Sequence, residues 1–456
     1  MSARFEGHEV RRALRLAPSP SRIRFNSVST DTRQLLSGAL FVALRGERFD
    51  GHEFLSQAAR KGAVGAVIEE GHALPDLDLE CFAVPDTTRA LGDLARHYRR
   101  RCAARVIGVT GSSGKTTVKE MLAGVLGAER STHATSGNFN NQIGLPLTIL
   151  DAPPDTEYWV LEMGSNAPGE IARLASIAEP DDALVTTVGP AHLEGFGDEA
   201  GVLREKLSLV RAAKLAGSIV VGERPEILGA AATEIRPDVI VAGLGSHADW
   251  HPDHWGFGPE SAWFERAGLQ YEIPVGGEHH LRDAVLAAAM AEAVGIGSGA
   301  IAEGLAAYHT VGMRGALRQL GRLTLVADCY NANPESFEAA INYCVSAFPD
   351  RHLAAVVGSM LELGSHSAAA HDRVARALIE AGFSRIVALG EFRQAFDALS
   401  GTANGTRVTS VARPSDAVTT LVSDLSGDEV VLVKASRGER LERVVDGLAE
   451  QFGAAD

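Results

Sequence analysis

The chain is poor in cysteine, in cations and in long apolar runs, and each shortage closes off a class of protein. Its four cysteines, Cys81, Cys102, Cys329 and Cys344, stand in no CxxC or Cys/His ligand spacing, so neither a disulfide framework nor structural zinc is expected and a reducing compartment fits. No uncharged apolar run reaches about 18 residues. The opening MSARFEGHEVRRALRL carries charge throughout, so neither export nor membrane insertion is expected, and a cytoplasmic location is. Lys plus Arg number 43 against 58 Asp plus Glu, a net charge of −15, which opposes broad attraction to nucleic-acid phosphate or an anionic membrane. Any phosphate site must be local. No fixed-period repeat and no low-complexity tract is found. What remains is ordinary globular stock, 45% apolar and 22% charged over 456 residues. At about 100–200 residues per domain, that length reads as about three folded units.

The texture of the chain supports an α/β fold in three parts. From about 24 to 98, short apolar runs (ALFVAL, AVGAVI) mix with turn-rich segments and end in the helical stretch TTRALGDLARHYRRR. From 105, the β-branched runs RVIGV, YWVLEM, DALVTTV and SIVVG alternate with helix-period segments, as in βαβ units of a parallel sheet. The Ala-rich stretch 281–294 is apolar on most faces and suits a helix packed between a sheet and a neighbour. After glycines 312 and 315 a third alternation follows: LTLVAD, HLAAVVG, RIVALG, EVVLVK. Boundaries are expected at 1–102, 103–312 and 313–456.

The strongest local signal is RVIGVTGSSGKTTV at 105–118, a β-branched strand running into a Gly-bracketed turn and then a helix. Backbone N–H groups of such a turn converge on one spot, the helix dipole adds positive potential, Lys115 reaches outer phosphates and Thr116 offers a hydroxyl to Mg²⁺. The strict GxxxxGK[ST] spacing fails, because Val109 stands five before Gly114; the motif is TGxxGKTT. A Gly-rich turn with one solvated lysine is the plainer alternative, but the strand before and helix after favour a nucleotide site.

Phosphoryl transfer needs divalent metal, whose ligands should sit at strand ends beside that loop. Glu162 closes the run YWVLE and His192 follows LVTTVGP. By position alone, either is more often a solvated, capping or structural group. Lys206, within EAGVLREKLSLVRAAKL, reads by itself as a solvated helix-face lysine.

Taken in order, STDTR (29–33), LFVALRGERFDGHEF (40–54), TGSSGKTT (110–117), GNFNNQIGLPLT (137–148), EMGSNAPGEI (162–171), AHLEGFG (191–197), DCYNANPES (328–336) and VKASRGERLE (433–442) resemble the Mur ligase superfamily over nearly the whole chain. The CYNANP run resembles the MurF-type members, which add D-alanyl-D-alanine to a UDP-N-acetylmuramoyl tripeptide; the diaminopimelate- or lysine-adding and folate-polyglutamylating relatives usually differ there. The resemblance implies a three-domain architecture: a UDP-substrate domain, a central P-loop parallel-sheet ATPase-like domain, and a C-terminal Rossmann-like domain that binds the dipeptide and closes on the nucleotide. It implies a monomeric ADP-forming amide ligase of peptidoglycan synthesis, using ATP and two Mg²⁺. The alternatives are a superfamily ligase with another incoming amine, or a nucleotide-binding homologue without catalysis.

Carried onto matching positions, the resemblance implies UDP-substrate contacts at Ser29, Thr30, Asp31, Thr32, Arg33, Arg48, Asp50, Gly51 and His52, and an acceptor channel at Asn138, Asn140 and Asn141. Nucleotide contacts fall on Gly111, Ser112, Ser113, Gly114, Lys115, Thr116 and Thr117, with Asp283, Arg314, Asp328, Asn331 and Asn333. Thr116, Glu162 and His192 match magnesium ligands, Lys206 matches a lysine that is carbamylated to hold the second metal, and Lys434, Ser436 and Arg437 match a basic turn facing the cleft. The chain departs from the family at His280 and Asp283, where Asn is usual and the second meets adenine, and at Ser359, Ala435 and Leu207-Ser208. An ionised Asp283 could accept hydrogen bonds but not donate them.

Overall fold

The computed structural model describes residues 3–46, 49–72, 77–399 and 405–453, arranged around three main sheets. The first is a four-stranded parallel sheet, Ser27–Ser29, Ala39–Val42, Gly65–Glu69 and Glu80–Val84 in spatial order. Its closing helix Thr87–Arg99 starts where the Asp86 side chain accepts from the Arg89 N–H, satisfying one free donor of the first turn. That helix buries Leu91, Leu94 and Tyr98; Tyr98 donates to the Ala152 carbonyl at 2.7 Å, and Arg99 to that of Ala178 at 3.0 Å. The core of the first unit therefore continues into the second.

The second sheet has six parallel strands in the order 239–242, 219–222, 182–185, 105–110, 158–162, 132–134. Alternation decides the layers: Ile107 and Val109 face the helices Lys115–Gly127 and Glu278–Ala293, while Val106 joins the core on the opposite face. Chain order reverses across Arg105–Thr110, so its neighbours' connections leave on opposite sides and open a crevice at the carboxyl ends of the strands. The Ala-rich helix is packed as expected, with Ala284, Val285 and Ala287 fully buried. It starts at Glu278 rather than 281, because Gly277, at φ +97°, ends the preceding extended chain. A three-stranded antiparallel meander, His254–Phe257, Ala262–Arg266 and Leu269–Ile273, lies between these elements and was not anticipated.

The third sheet is mixed, in the order Ala316–Leu320, Leu323–Asp328, Val430–Lys434, Leu353–Val357, Arg385–Ala388, Arg407–Ser410, with only the first strand antiparallel. The helix Pro334–Ala347 leaves this sheet at a capping box between Asn333 and Ser336 and points its first turn at the central unit. Among the described residues, no helix is long and apolar enough to cross a membrane.

Candidate active site at the junction of the units

The loop after Arg105–Thr110 is shaped by two glycines whose side-chain space is already taken. A Cβ on Gly111, at φ +149°, would lie 2.0 Å from Thr186 Oγ1, and one on Gly114, at φ +79°, would lie 2.4 Å from Asp283 Oδ1. Ser112 is tied down by the Thr187 carbonyl and by both backbone groups of Gly189, and the Ser113 N–H donates to Thr187 Oγ1 at 3.2 Å. The loop is thus held before any anion arrives. Lys115 Nζ folds over it, donating to the carbonyls of Gly111 at 2.6 Å and Ser112 at 3.2 Å, and burial lowers its proton affinity.

A cavity of about 1,110 Å³ opens over this loop. Residues 112–117, Asn138, Asn140, Asn141, Glu162, His192 and Asp283 line it from the central unit, and Arg314, Asp328, Asn331, Asn333, Lys434 and Arg437 from the third. Glu162 is 1% exposed; its Oε1 accepts from Asn140 Nδ2 at 2.7 Å, and its Oε2 is buried without a hydrogen-bond partner. An orphaned carboxylate oxygen in a cavity that the buried Thr116 also lines fits a hard cation, which would satisfy it. Asn141 is spent on structure, its Oδ1 capping Ile143 and Gly144 N–H groups.

Lys206 is not a solvated helix-face residue. It is 1% exposed, lies behind the cavity wall with Nζ donating to Ser165 Oγ at 2.9 Å, and sits 5.7 Å from the Phe196 ring centre. Burial first, and the nearby Lys115 charge second, bring its pKa down to about 7, so a neutral amine is available at ordinary pH.

Asp283, 9% exposed on the helix Glu278–Ala293, lies in surroundings that disfavour an ionised carboxylate. Burial and then the neighbouring Glu335 raise its pKa well above its ordinary 3.8, which favours the neutral acid. A neutral carboxyl has an O–H to donate and a carbonyl to accept, as an amide does. Its neighbour His280 lies against His279, ring centres 4.0 Å apart and tilted by 40°, and shares a 2.8 Å hydrogen bond between Nδ1 and the Gly276 carbonyl.

From the third unit, Lys434 does not offer a free charge. It is 1% exposed, donating to Asp328 Oδ2 at 2.5 Å and to the Asn331 carbonyl at 3.3 Å. Asn333 Nδ2 donates to Ser113 Oγ at 3.2 Å and Thr187 Oγ1 to Glu335 Oε2 at 3.3 Å, so both polar side chains of that helix start touch the phosphate loop region. His192, at φ +53°, pairs through Nδ1 with Glu362 of the third unit. Arg314 and Arg437 lie against the Tyr330 ring, 3.9 and 4.9 Å from its centre. Sequence patterns passed over Tyr330, Glu335 and Glu362; an acid in a first helical turn, such as Glu335, resembles a partner of the helix dipole.

Among the described residues, those expected of the first unit do not line this cavity. Arg33 is held in a bidentate pair by Asp31, Ser29 turns back onto the Asp31 backbone, and Thr32 Oγ1 donates to Gln57 Oε1 at 3.0 Å. His52 has both ring nitrogens engaged, Nδ1 by Asp50 at 2.5 Å and Nε2 by the Glu69 N–H at 2.9 Å, while Gly51 packs against the Leu44 carbonyl. Arg48 lies outside the described residues.

Residues 24–99, 109–291 and 313–437 match families described as "Mur ligase family, catalytic domain", "Mur ligase middle domain" and "Mur ligase, glutamate ligase domain". The chain is 35% identical over 431 residues to the UDP-N-acetylmuramoyl-tripeptide–D-alanyl-D-alanine ligase of Bacillus subtilis, covering 93% of each. Against the Escherichia coli enzyme of that name it is 36% identical over 446 residues, covering 94% of each. Its structure is similar to a MurF crystal structure from Acinetobacter baumannii, with a TM-score of 0.89 at 30% identity, covering 98% of this chain and 99% of that one. It is also similar to a MurF ligase from Thermotoga maritima in complex with ADP, with a TM-score of 0.83 at 30% identity, covering 93% and 97%.

Proposed function

This chain belongs to the Mur ligase family, and from that membership we infer that it joins D-alanyl-D-alanine to a UDP-N-acetylmuramoyl tripeptide in an ATP-driven, ADP-forming step of peptidoglycan precursor synthesis. The observation that supports the chemistry is one cavity shared by a phosphate loop, an orphaned glutamate oxygen and polar groups of the third unit. A carboxylate is a poor electrophile in water. The tripeptide's terminal carboxylate attacks the γ-phosphorus, ADP departs, and an acyl phosphate results; the loop N–H groups and Lys115 face the charge that develops on the transferring group. The dipeptide amine then attacks the acyl carbon, and phosphate leaves.

Magnesium would be held by Thr116, Glu162, His192 and a carbamylated Lys206. When bound, it offsets phosphate charge. His192 would offer Nε2, since Nδ1 is taken by Glu362. Asp283 and Arg314 would meet the base and ribose end, Asp328, Asn331 and Asn333 the phosphates from the closing side, and residues 29–33 with 48–52 the UDP moiety. We assign 1–102 to the UDP substrate, 103–312 to ATP and 313–456 to the dipeptide and closure, in a cytoplasmic monomer. Walls from two units keep water from the acyl phosphate. The test is ADP release by purified protein given UDP-muramoyl tripeptide and D-alanyl-D-alanine separately and together: release only with both, accompanied by pentapeptide, is expected. Another amine working better would move the chain to a different member of the family.

A further inference from the structure

The reaction set out above leaves Lys119 unused, although its side chain is fully buried on the helix Lys115–Gly127. It does not line the large cavity, so any part it takes is through another residue. Its Nζ pairs with the Glu120 carboxylate and donates to the Thr135 carbonyl at 2.7 Å. A methionine of similar length would fill the same space without the cost of desolvating an amine, so those two bonds are what the lysine contributes.

Thr135 follows the strand Thr132–Ala134, which pairs in parallel with Tyr158–Glu162, Ala134 opposite Val160. The ladder continues one step, with the Thr135 N–H donating to the Val160 carbonyl at 3.0 Å. In a parallel ladder the next donor is the Glu162 N–H, and its regular acceptor is the Thr135 carbonyl. Here that carbonyl accepts from Lys119, and the Glu162 N–H donates instead to Thr135 Oγ1 at 2.9 Å. The exchange falls at the residue whose Oε2 is buried and unpartnered. Lys119 also stands three positions after Thr116, on the same face of the helix and one turn further along. It therefore ties the helix that carries Thr116 to the chain that frames Glu162.

We propose that Lys119 is a positioning residue for the divalent cation: through the Thr135 carbonyl it fixes the placement of the Glu162 carboxylate relative to the Thr116 hydroxyl. The inference rests on the metal role inferred above for Thr116 and Glu162, and it adds a strut that touches neither metal nor substrate. Without Nζ, the Thr135 carbonyl is free to take the Glu162 N–H back into the ladder, and the carboxylate shifts with its backbone. Mg²⁺ demands near-ideal ligand geometry, so such a shift weakens the cation.

Mn²⁺ serves as a paramagnetic substitute for Mg²⁺. With a non-hydrolysable ATP analogue present, Lys119→Met should bind Mn²⁺ about tenfold or more weakly by electron paramagnetic resonance. At saturating Mg²⁺ its KM for D-alanyl-D-alanine should equal the parent's. Thr135→Val should weaken Mn²⁺ similarly and Thr135→Ser should not. Lys119→Met and Thr135→Val together should weaken it by less than the product of the single effects, because both act on one linkage. A residue that only supports the fold would lower Tm and leave the Mn²⁺ affinity of the folded protein alone. That outcome in Lys119→Met overturns the strut; should that variant not fold, parental Mn²⁺ affinity in Thr135→Val overturns it equally. Glu162→Gln separates the two readings: if it also binds Mn²⁺ as the parent does, the metal role of Glu162 fails and the strut with it.

Discussion

At the scale of single residues, the environment decides chemistry that residue type leaves open. Lys206 shows this most clearly: its helix position suits a solvated cation, yet burial lowers its pKa to about 7. Carbamate forms only from neutral amine, so ¹³C-bicarbonate should give a protein carbamate resonance that grows between pH 6 and 8, whereas an unperturbed lysine would need pH above about 10. Lys206→Ala should lose most activity and regain part of it with concentrated acetate; Lys206→Arg should be inactive and resist rescue, because a guanidinium fills the space with the wrong charge. Absence of the resonance would sink the modification. Asp283 is shifted the other way. A carboxyl whose pKa rises on folding costs no stability below its ordinary 3.8, and a growing amount as pH climbs from there toward the raised value. Asp283→Asn should therefore melt higher than the parent at pH 7, match it near pH 4, and bind ATP as well or better; clearly weaker ATP binding would reveal a contact that only the acid makes. For Lys115→Ala the expected loss of ligation is about a hundredfold or more. Retention of a tenth of the activity would place the nucleotide elsewhere.

At the scale of elements, the phosphate loop was legible because strand, turn and helix each announce themselves within 105–118. Its tightness was not, since it depends on Thr186 and Asp283 from elsewhere in the chain. Gly111→Ala sets a Cβ 2.0 Å from Thr186 Oγ1, so the strand exit or the loop must shift. We expect a stability loss of about 1–3 kcal/mol, read as a lowered Tm, together with loss of ATP binding. An unaltered Tm would mean that the loop yields freely. The meander at 254–273 escaped notice for a different reason: although Leu269–Ile273 alternates apolar and polar, its strands are only four or five residues long, too short for alternation to stand out from the surrounding turns.

At the scale of the whole molecule, the third unit is closed against the second through few polar contacts. Tyr343 donates to the Pro259 carbonyl at 2.6 Å, Asn333 to Ser113, Thr187 to Glu335, and His192 pairs with Glu362. Removing one neutral hydrogen bond costs about 1 kcal/mol, or about fivefold in a two-state equilibrium. Tyr343→Phe should therefore enlarge the radius of gyration of the nucleotide-free protein in small-angle scattering, and a non-hydrolysable ATP analogue should reverse the change. An unchanged radius would show that this contact does not hold the units together.

The sequence alone determined the α/β class, the three alternating segments, the phosphate loop and the family, because strand and helix periods and short motifs are local properties written in consecutive residues. Glu162 and His192 could be nominated but not distinguished from capping or structural groups. Only the tertiary structure leaves Glu162 Oε2 buried and unpartnered, encloses Lys206, raises the proton affinity of Asp283, and brings Glu362 to His192 across 170 positions of chain. Those outcomes depend on desolvation and on contacts between residues far apart in sequence, and both arise when the units pack together.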